Sequence, residues 1–345
     1  MSKNKKKKAC FYATGISSNS SVEQYYQQDI DILNELGYEV VIASKFSEIP
    51  FFCDLYFSWW ASGSFFPLLV SKFSRAKLVV VAGGNECQLV SDSVTNEKYG
   101  YLSYGWLKRL LVRFVLLASD RVIAVSNYMV RDISIISKYK CNPIVVYNSV
   151  NTHRFRPSEV SQRKYITIIC STNSSAYKLK RLGNFIKSAS LVVDKYPEQI
   201  FMVVGRKGDY HDVYMSEIHK YKLEKNFIFK SDVPNEQIPL IFSETKLYCQ
   251  ISDVETFGVA VCEAIACGLP VLVSARGALP EVVGDYGIYC DHNSCDDIAR
   301  KILDTIENVA TREFILYSND RYHYILNKFS YRNRFDSVKK IIYEM

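Results

Sequence analysis

The sequence predicts an α/β protein built from two doubly wound, Rossmann-like halves. Short apolar strands alternate with helical stretches along the chain, the alternation begins afresh after Pro157, and 345 residues supply two cores of ordinary size. Strands of this kind read as near-continuous apolar runs because helices cover both faces of a parallel sheet.

In the first half, Cys10–Ala13 reads as a strand and Val22–Leu36 as a helix with Tyr26, Ile30 and Leu33 on one face. Gly37 ends that helix where a left-handed residue is wanted. Strands follow at Glu39–Ala43, Asp54–Ser58, Lys77–Ala82, Arg121–Val125 and Ile144–Tyr147, with helices at Tyr104–Ala118 and Asn127–Ser137. The second half repeats the pattern. Strands are expected at Tyr165–Cys170, Ile200–Gly205, Phe227–Lys230, Leu247–Ile251 and Pro270–Ser274, and helices at Leu179–Val193, Glu236–Ser243 and Val259–Ala266. A first domain over 1–150, completed by a terminal helix near 329–345, and a second over 151–328 follow, joined near Asn148–Pro157. Two such halves facing each other would place a ligand in the cleft between them, at the carboxyl ends of the strands.

Composition excludes several functions. Hydrophobic residues make up 48% and charged residues 23%, the profile of a soluble globular protein. The net charge is +7, but Lys3, Lys5, Lys6, Lys7 and Lys8 contribute five, leaving +2 for the remainder. A nucleic-acid partner is therefore not expected. The Lys3–Lys8 leader suits either peripheral contact with anionic lipid or a solvated tail. The ten cysteines form no C-x-x-C pair and several lie in apolar runs, which points to reduced thiols in a cytoplasmic protein, at most peripheral on the inner face of the membrane. The scattered histidines offer no zinc spacing. Neither a signal peptide nor a membrane span is expected; Leu55 to Ser71 is uncharged but too short and interrupted by Pro67.

The sharpest chemical signal is Glu255-Thr-Phe-Gly-Val-Ala-Val-Cys-Glu263. It sets one carboxylate just before a helix and another about two turns inside it. The two acids suit hydroxyl groups at opposite ends of a diphosphate, whose charge would rest on the amides of Phe257, Gly258 and Val259 at the helix start. Taken alone, the segment also fits an ordinary amphipathic helix with a solvent-facing glutamate.

This segment resembles the E-x7-E signature of retaining glycosyltransferase family 4, whose fold is GT-B. Ala118-Ser-Asp-Arg-Val-Ile-Ala-Val-Ser126, Tyr147-Asn-Ser-Val-Asn-Thr-His-Arg-Phe-Arg-Pro157, Leu279-Pro-Glu-Val-Val-Gly284 and Phe329-Ser-Tyr-Arg-Asn-Arg-Phe-Asp336 are similar to further family segments in the same order. The resemblance implies sugar transfer from a UDP- or GDP-sugar to a glycan or lipid-linked acceptor, in surface polysaccharide synthesis, without a metal or other cofactor. It assigns Lys180 to the leaving diphosphate, Glu255 to the donor sugar, Glu263 to the ribose and the Val233 backbone to the base. The chain departs from the family at the arginine preceding the lysine, near Ser174, for which Lys178 is a candidate substitute. It departs also at the first-domain glycine pair, here Ser20-Ser21, with Ser21 on the donor side. Gly83-Gly84-Asn85-Glu86, with Glu97-Lys-Tyr-Gly100 downstream, resembles a subgroup carrying G-G-x-D, so Asn85 and Glu86 are expected on the acceptor side. A non-catalytic nucleotide-sugar-binding protein and a sugar-nucleotide epimerase or phosphorylase are the alternative readings.

Overall fold

Each half of the strand pattern closes into its own six-stranded parallel sheet. The computed structural model describes residues 6–14, 16, 24–91, 97–158, 163–174, 179–308 and 312–345, with 312–316 as backbone only. Met1–Ser149 and Tyr331–Met345 form one compact unit and Val150–Ser330 the other.

The first unit contains β1 (Lys8–Tyr12), α1 (Gln24–Glu35), β2 (Glu39–Ala43), β3 (Leu55–Trp59), α2 (Phe65–Ser74) and β4 (Lys77–Ala82). A two-stranded antiparallel ribbon of β5 (Leu89–Ser91) and β6 (Lys98–Gly100) follows. Then come α3 (Trp106–Ala118), β7 (Arg121–Ala124), α4 (Asn127–Ile136) and β8 (Ile144–Val145). The sheet order is β2-β1-β3-β4-β7-β8, every pair parallel. All five residues of β3 are buried, as a central strand covered on both faces requires.

The second unit runs β9 (Tyr165–Ile169), α5 (Leu182–Val193), β10 (Ile200–Val204), α6 (His211–Lys220), β11 (Phe227–Lys230), α7 (Ile238–Glu244) and β12 (Thr245–Gln250). It continues with α8 (Val259–Ala266), β13 (Val271–Ser274), α9 (Leu279–Val283), β14 (Gly287–Cys290), α10 (Cys295–Asn308) and α11 (Arg312–Phe329). Its order is β11-β10-β9-β12-β13-β14, again all parallel. Ile166, Ile168, Phe185, Phe201, Leu247 and Ile298 anchor its core. The last helix, α12 (Tyr331–Tyr343), belongs to the first unit.

Two of the helices that start later than their apolar patterns suggest do so for backbone reasons. Gly100 at φ +59 feeds a 3-10 turn over Tyr101–Ser103, so α3 begins at Trp106 and not Tyr104. Arg181 at φ +55 sits in the left-handed region, so α5 begins at Leu182 and not Leu179. All ten cysteines are free thiols. No helix among the described residues is long and apolar enough to cross a membrane.

A buried ion pair holds α12 to the first unit. Arg334 donates from Nε and Nη2 to the two carboxylate oxygens of Asp29, at 2.7 and 2.8 Å, with both side chains at or below 1% exposure. Its Nη1 donates to the carbonyls of Tyr147 at 2.8 Å and Val146 at 3.3 Å. Asp29 Oδ2 also accepts from Trp59 Nε1 at 2.9 Å. Removing one partner of such a pair strands the other charge in the interior, at a cost of about 3–5 kcal/mol. Arg334→Ala should therefore lower the urea midpoint of the Trp59 fluorescence transition markedly. The pair Arg334→Met with Asp29→Leu should recover most of the loss, because matched apolar groups leave no uncompensated charge. A midpoint unchanged in the single variant would show that water reaches Asp29.

Candidate active site

In the second unit the strand order reverses direction between β9 and β12, and open α/β sheets bind ligands at the carboxyl ends of strands at such a point. The loops leaving those two strands carry Lys180 and Glu255. The lysine ammonium is in hydrogen-bonding contact with Glu255 Oε1, the carboxylate being 11% exposed and the lysine 34%. The same oxygen accepts from Gln250 Nε2 at 2.7 Å and Ser252 Oγ at 2.9 Å. Buried Tyr248 orients that glutamine by donating to its Oε1 at 2.9 Å. Among the described residues all three donors reach Oε1, so Oε2 keeps its acceptor capacity.

The backbone around Glu255 is fixed from a second side. Its carbonyl accepts from Ala278 N at 2.9 Å, and a Cβ on Gly277, at φ +59, would lie 2.4 Å from that carbonyl oxygen. Next to it, Asp253 collects His292 Nε2 at 2.9 Å, Arg181 Nη2 at 3.1 Å and Arg276 Nε at 3.5 Å. The His292 hydrogen bond, reinforced by the two guanidinium groups, holds the Asp253 carboxyl below its ordinary range. This cluster locks Arg181 in its left-handed conformation directly after Lys180, which fixes where the lysine side chain departs from the chain.

Gly258, at φ +96, caps α8. Phe257 directly precedes the cap, its ring buried at 5.5 Å from Phe329. The first helical N–H groups, from Val259 onward, have no intrahelical acceptor, and Val259 and Ala260 are half-buried. Glu263 is no solvent-facing residue of an amphipathic helix. It is 8% exposed, and burial pushes its carboxyl up to about 8, opposed by the charge of Arg154. Val233 lies half-buried in the turn after β11.

The first unit holds the other expected cluster. Glu86 is 4% exposed and accepts from Ala61 N at 3.3 Å; burial raises its carboxyl to about 7, with Lys108 pulling the other way. Gly84 makes this possible, since a Cβ there would stand 2.3 Å from the Trp60 ring and 2.7 Å from Glu86 Oε2. Trp60 itself has φ +69, an uncommon conformation for a bulky residue. Gly100 packs on the Asn85 carbonyl, which brings the Glu97–Gly100 stretch against Gly83–Glu86. Asn85 is exposed. Ser21, Lys178 and Lys3–Lys5 lie outside the described residues.

Gln250, Ser252, Asp253, His292, Arg181 and Arg154 were not singled out from the sequence. The strand-end position of Gln250–Asp253 marks three of them, and Arg154 lies inside the Tyr147–Pro157 segment; His292 comes from a distant segment with no such signal.

Residues 152–318 match the family model described as glycosyl transferases group 1. The matched residues lie within the second unit. Curated relatives include the O-antigen chain mannosyltransferase B of Escherichia coli, 32% identical over 119 residues, covering 34% of this chain and 30% of that protein. The sulfoquinovosyl transferase SQD2 of Arabidopsis thaliana is 22% identical over 86% of this chain and 66% of its own length. The O-antigen chain mannosyltransferase RfbU of Salmonella typhimurium is 24% identical over 90% of this chain and 86% of its own. The chain thus spans between about a third and two-thirds of the first two relatives. Among solved structures, Anabaena HepE in complex with UDP and glucose superposes with a TM-score of 0.78 at 16% identity, covering 98% of this chain and 100% of that one. The fold is GT-B, and the matched residues lie in its second Rossmann-like unit.

The buried Glu263 of that unit makes a pH prediction. A carboxyl that titrates near 4.3 when unfolded and near 8 when folded keeps more protons in the native state between those values. Stability then falls as pH rises through that window. Glu263→Gln should raise the melting temperature of the ligand-free protein at pH 8.5 by several degrees, on the order of 2–4 °C per kcal/mol, and change it little at pH 5. An equal shift at both pH values would place the effect in packing and not in the buried charge.

Proposed function

We propose that the chain is a retaining, metal-independent glycosyltransferase of the family 4 type, moving a hexosyl group from a UDP- or GDP-sugar to a glycan or lipid-linked acceptor in surface polysaccharide synthesis. One observation carries the reading: the Lys180–Glu255 pair at the strand reversal of the second unit, beside the glycine-capped start of α8. Two O-antigen mannosyltransferases among the relatives and the UDP complexes of HepE support it.

On this reading the diphosphate takes the Lys180 ammonium and the amides of Gly258 and Val259, where the helix dipole favours negative charge. Glu255 then exchanges the lysine for a donor-sugar hydroxyl, using the Oε2 that its internal bonds leave open. Glu263, two turns inside α8, accepts from the ribose, and the Val233 backbone flanks the base. The bond from the anomeric carbon to the phosphate oxygen breaks as the acceptor oxygen attacks on the same face. The departing phosphate takes the acceptor proton, and no enzymic nucleophile is needed. Lys180 stabilises the charge growing on that phosphate.

Lys180→Ala should retain the fold and lose roughly 10²–10³ in turnover, the usual cost of removing one charge-stabilising donor. Glu255 keeps Gln250 and Ser252 in that variant, so a loss of turnover is not a collapse of the loop. Turnover within a factor of about two of wild type in the folded variant would reassign the phosphate contact. For the acceptor side, Glu86→Gln should reduce transfer while a thermal-shift titration with nucleoside diphosphate stays unchanged. Equal losses in both measurements would move Glu86 out of the acceptor role.

A further inference from the structure

We propose that Trp60 and Glu86 form a sugar-binding site in the first unit, and that its ligand is a neutral pyranose ring of the acceptor; this deepens the acceptor-side reading of Glu86 and rests on it. The first sheet has a reversal point of its own. Its order runs one way from β1 to β2 and the other way from β3 onward, and open α/β sheets bind ligands at the carboxyl ends of the strands flanking such a point. Trp60 is the residue directly after β3. The turn that follows it abuts the end of β1, since a Cβ on Gly63 would lie 2.9 Å from Thr14 Cγ2. On the other side β4 pairs with β3 and runs into Gly83–Glu86. Trp60 is also held in a way that filling a core does not require. Its φ of +69 is costly for a bulky side chain, and such conformations persist where the surroundings over-determine them. Here they do. Its backbone N–H donates to the Val81 carbonyl at 3.0 Å, and its carbonyl accepts from Gly63 N at 2.9 Å, Ser64 N at 3.1 Å and Ser64 Oγ at 2.8 Å. Its indole N–H donates to the Tyr26 hydroxyl. The ring stays half-buried, and the rings of Tyr25, Tyr26 and Trp59 meet it at 62–83°, so among the described residues none of these neighbours is stacked on it.

The chemistry of the two side chains selects the ligand. The point that a Cβ would occupy on Gly84 lies 2.3 Å from the Trp60 ring and 2.7 Å from Glu86 Oε2, which makes ring and carboxylate immediate neighbours. Ala61, next to Trp60 in the chain, ties them together by donating its N–H to Glu86 Oε1 at 3.3 Å. An aromatic face takes apolar C–H groups, and a carboxylate takes hydroxyl protons. A pyranose carries both, C–H groups across its face and hydroxyls around its rim. An acyl chain offers nothing to the carboxylate, and an anionic group meets a like charge whenever Glu86 is ionised. Lys108, whose charge acts on Glu86, packs at 3.7 Å over the Tyr104 ring.

The test is saturation-transfer NMR and tryptophan fluorescence of the full chain with the methyl pyranosides of glucose, galactose, mannose and N-acetylglucosamine, and with glycerol phosphate as an anionic probe. Wild type is compared with Trp60→Phe and Trp60→Leu. Both replacements keep a side chain with the same left-handed cost, so the difference between them reads the aromatic face. At least one pyranoside should bind wild type in the millimolar range and quench tryptophan emission. Trp60→Phe should bind it within a few-fold of wild type, and Trp60→Leu about tenfold more weakly, the scale of one aromatic contact. All three tryptophans lie in the first unit, and Trp59 is fully buried. Quenching should therefore vanish in Trp60→Phe while binding remains, and nucleoside diphosphate binding should be equal in all three proteins. The proposal is overturned by quenching that persists in Trp60→Phe, by Trp60→Leu binding as tightly as wild type, or by a wild type that binds no pyranoside at tens of millimolar. Glycerol phosphate binding more tightly than any pyranoside would overturn it in favour of an anionic acceptor held by Lys108. Pyranoside binding as expected, without nucleoside diphosphate binding in any of the three, would sink the transferase reading and leave the sugar site standing.

Discussion

The buried pair of Asp29 and Arg334 is the constraint on which the first unit depends. A guanidinium and a carboxylate removed from water must satisfy one another in full, and here they recruit everything around them. The Tyr147 and Val146 carbonyls complete the arginine, and the indole N–H of Trp59 completes the aspartate. Fixing Trp59 fixes what its ring excludes: a Cβ on Gly83 would lie 2.9 Å from it. Trp60 imposes the same condition on Gly84, and the open space that results admits the Glu86 carboxylate. A contact between residues 305 apart in sequence is thus transmitted, through two indoles and two glycines, to the proposed acceptor residue.

The second unit solves a related problem differently. Its charges cluster at the sheet reversal as two adjoining sets, one around Asp253 and one around Glu255. The Asp253 set is closed, with three cationic or imidazole partners on one carboxylate. The Glu255 set is open on one oxygen. Such a division suits a binding loop: one carboxylate anchors the backbone so that the other keeps an open oxygen on a fixed chain. Glu263 and Glu86 are the further departures from a relaxed interior, each a buried acid whose neutral form is favoured by its surroundings.

Much of this was legible in the sequence because it depends on local pattern. The alternation of apolar strands and helices sets the parallel sheets, and Gly258 between Glu255 and Glu263 announces a helix start that tolerates close approach. What was not legible depends on long-range placement. In the second half the apolar pattern does not announce α6, β14, α10 or α11: β14 is a short edge strand opening on glycine, and α6 and α10 bury only narrow faces beneath many charges. The partners of Asp253 come from three separate segments, and no spacing links His292 to Arg181. Arg334 reads as one more charge on a polar helix, and only its burial reveals what it does.

The chain passes between its two units at 149–150 and again at 330–331, and these crossings lie side by side: Val150 N donates to the Phe329 carbonyl at 2.8 Å, and Val150 pairs with Ser330 in a parallel bridge. The second unit is therefore an insertion whose two ends leave from neighbouring points. During synthesis from the amino terminus, all its residues are present while the last fifteen of the first unit are still to come. Until Arg334 emerges, Asp29 has no guanidinium and the sheet that began first lacks its closing helix. The part of the chain begun second can reach its native state first, and the earliest strands wait for the final helix.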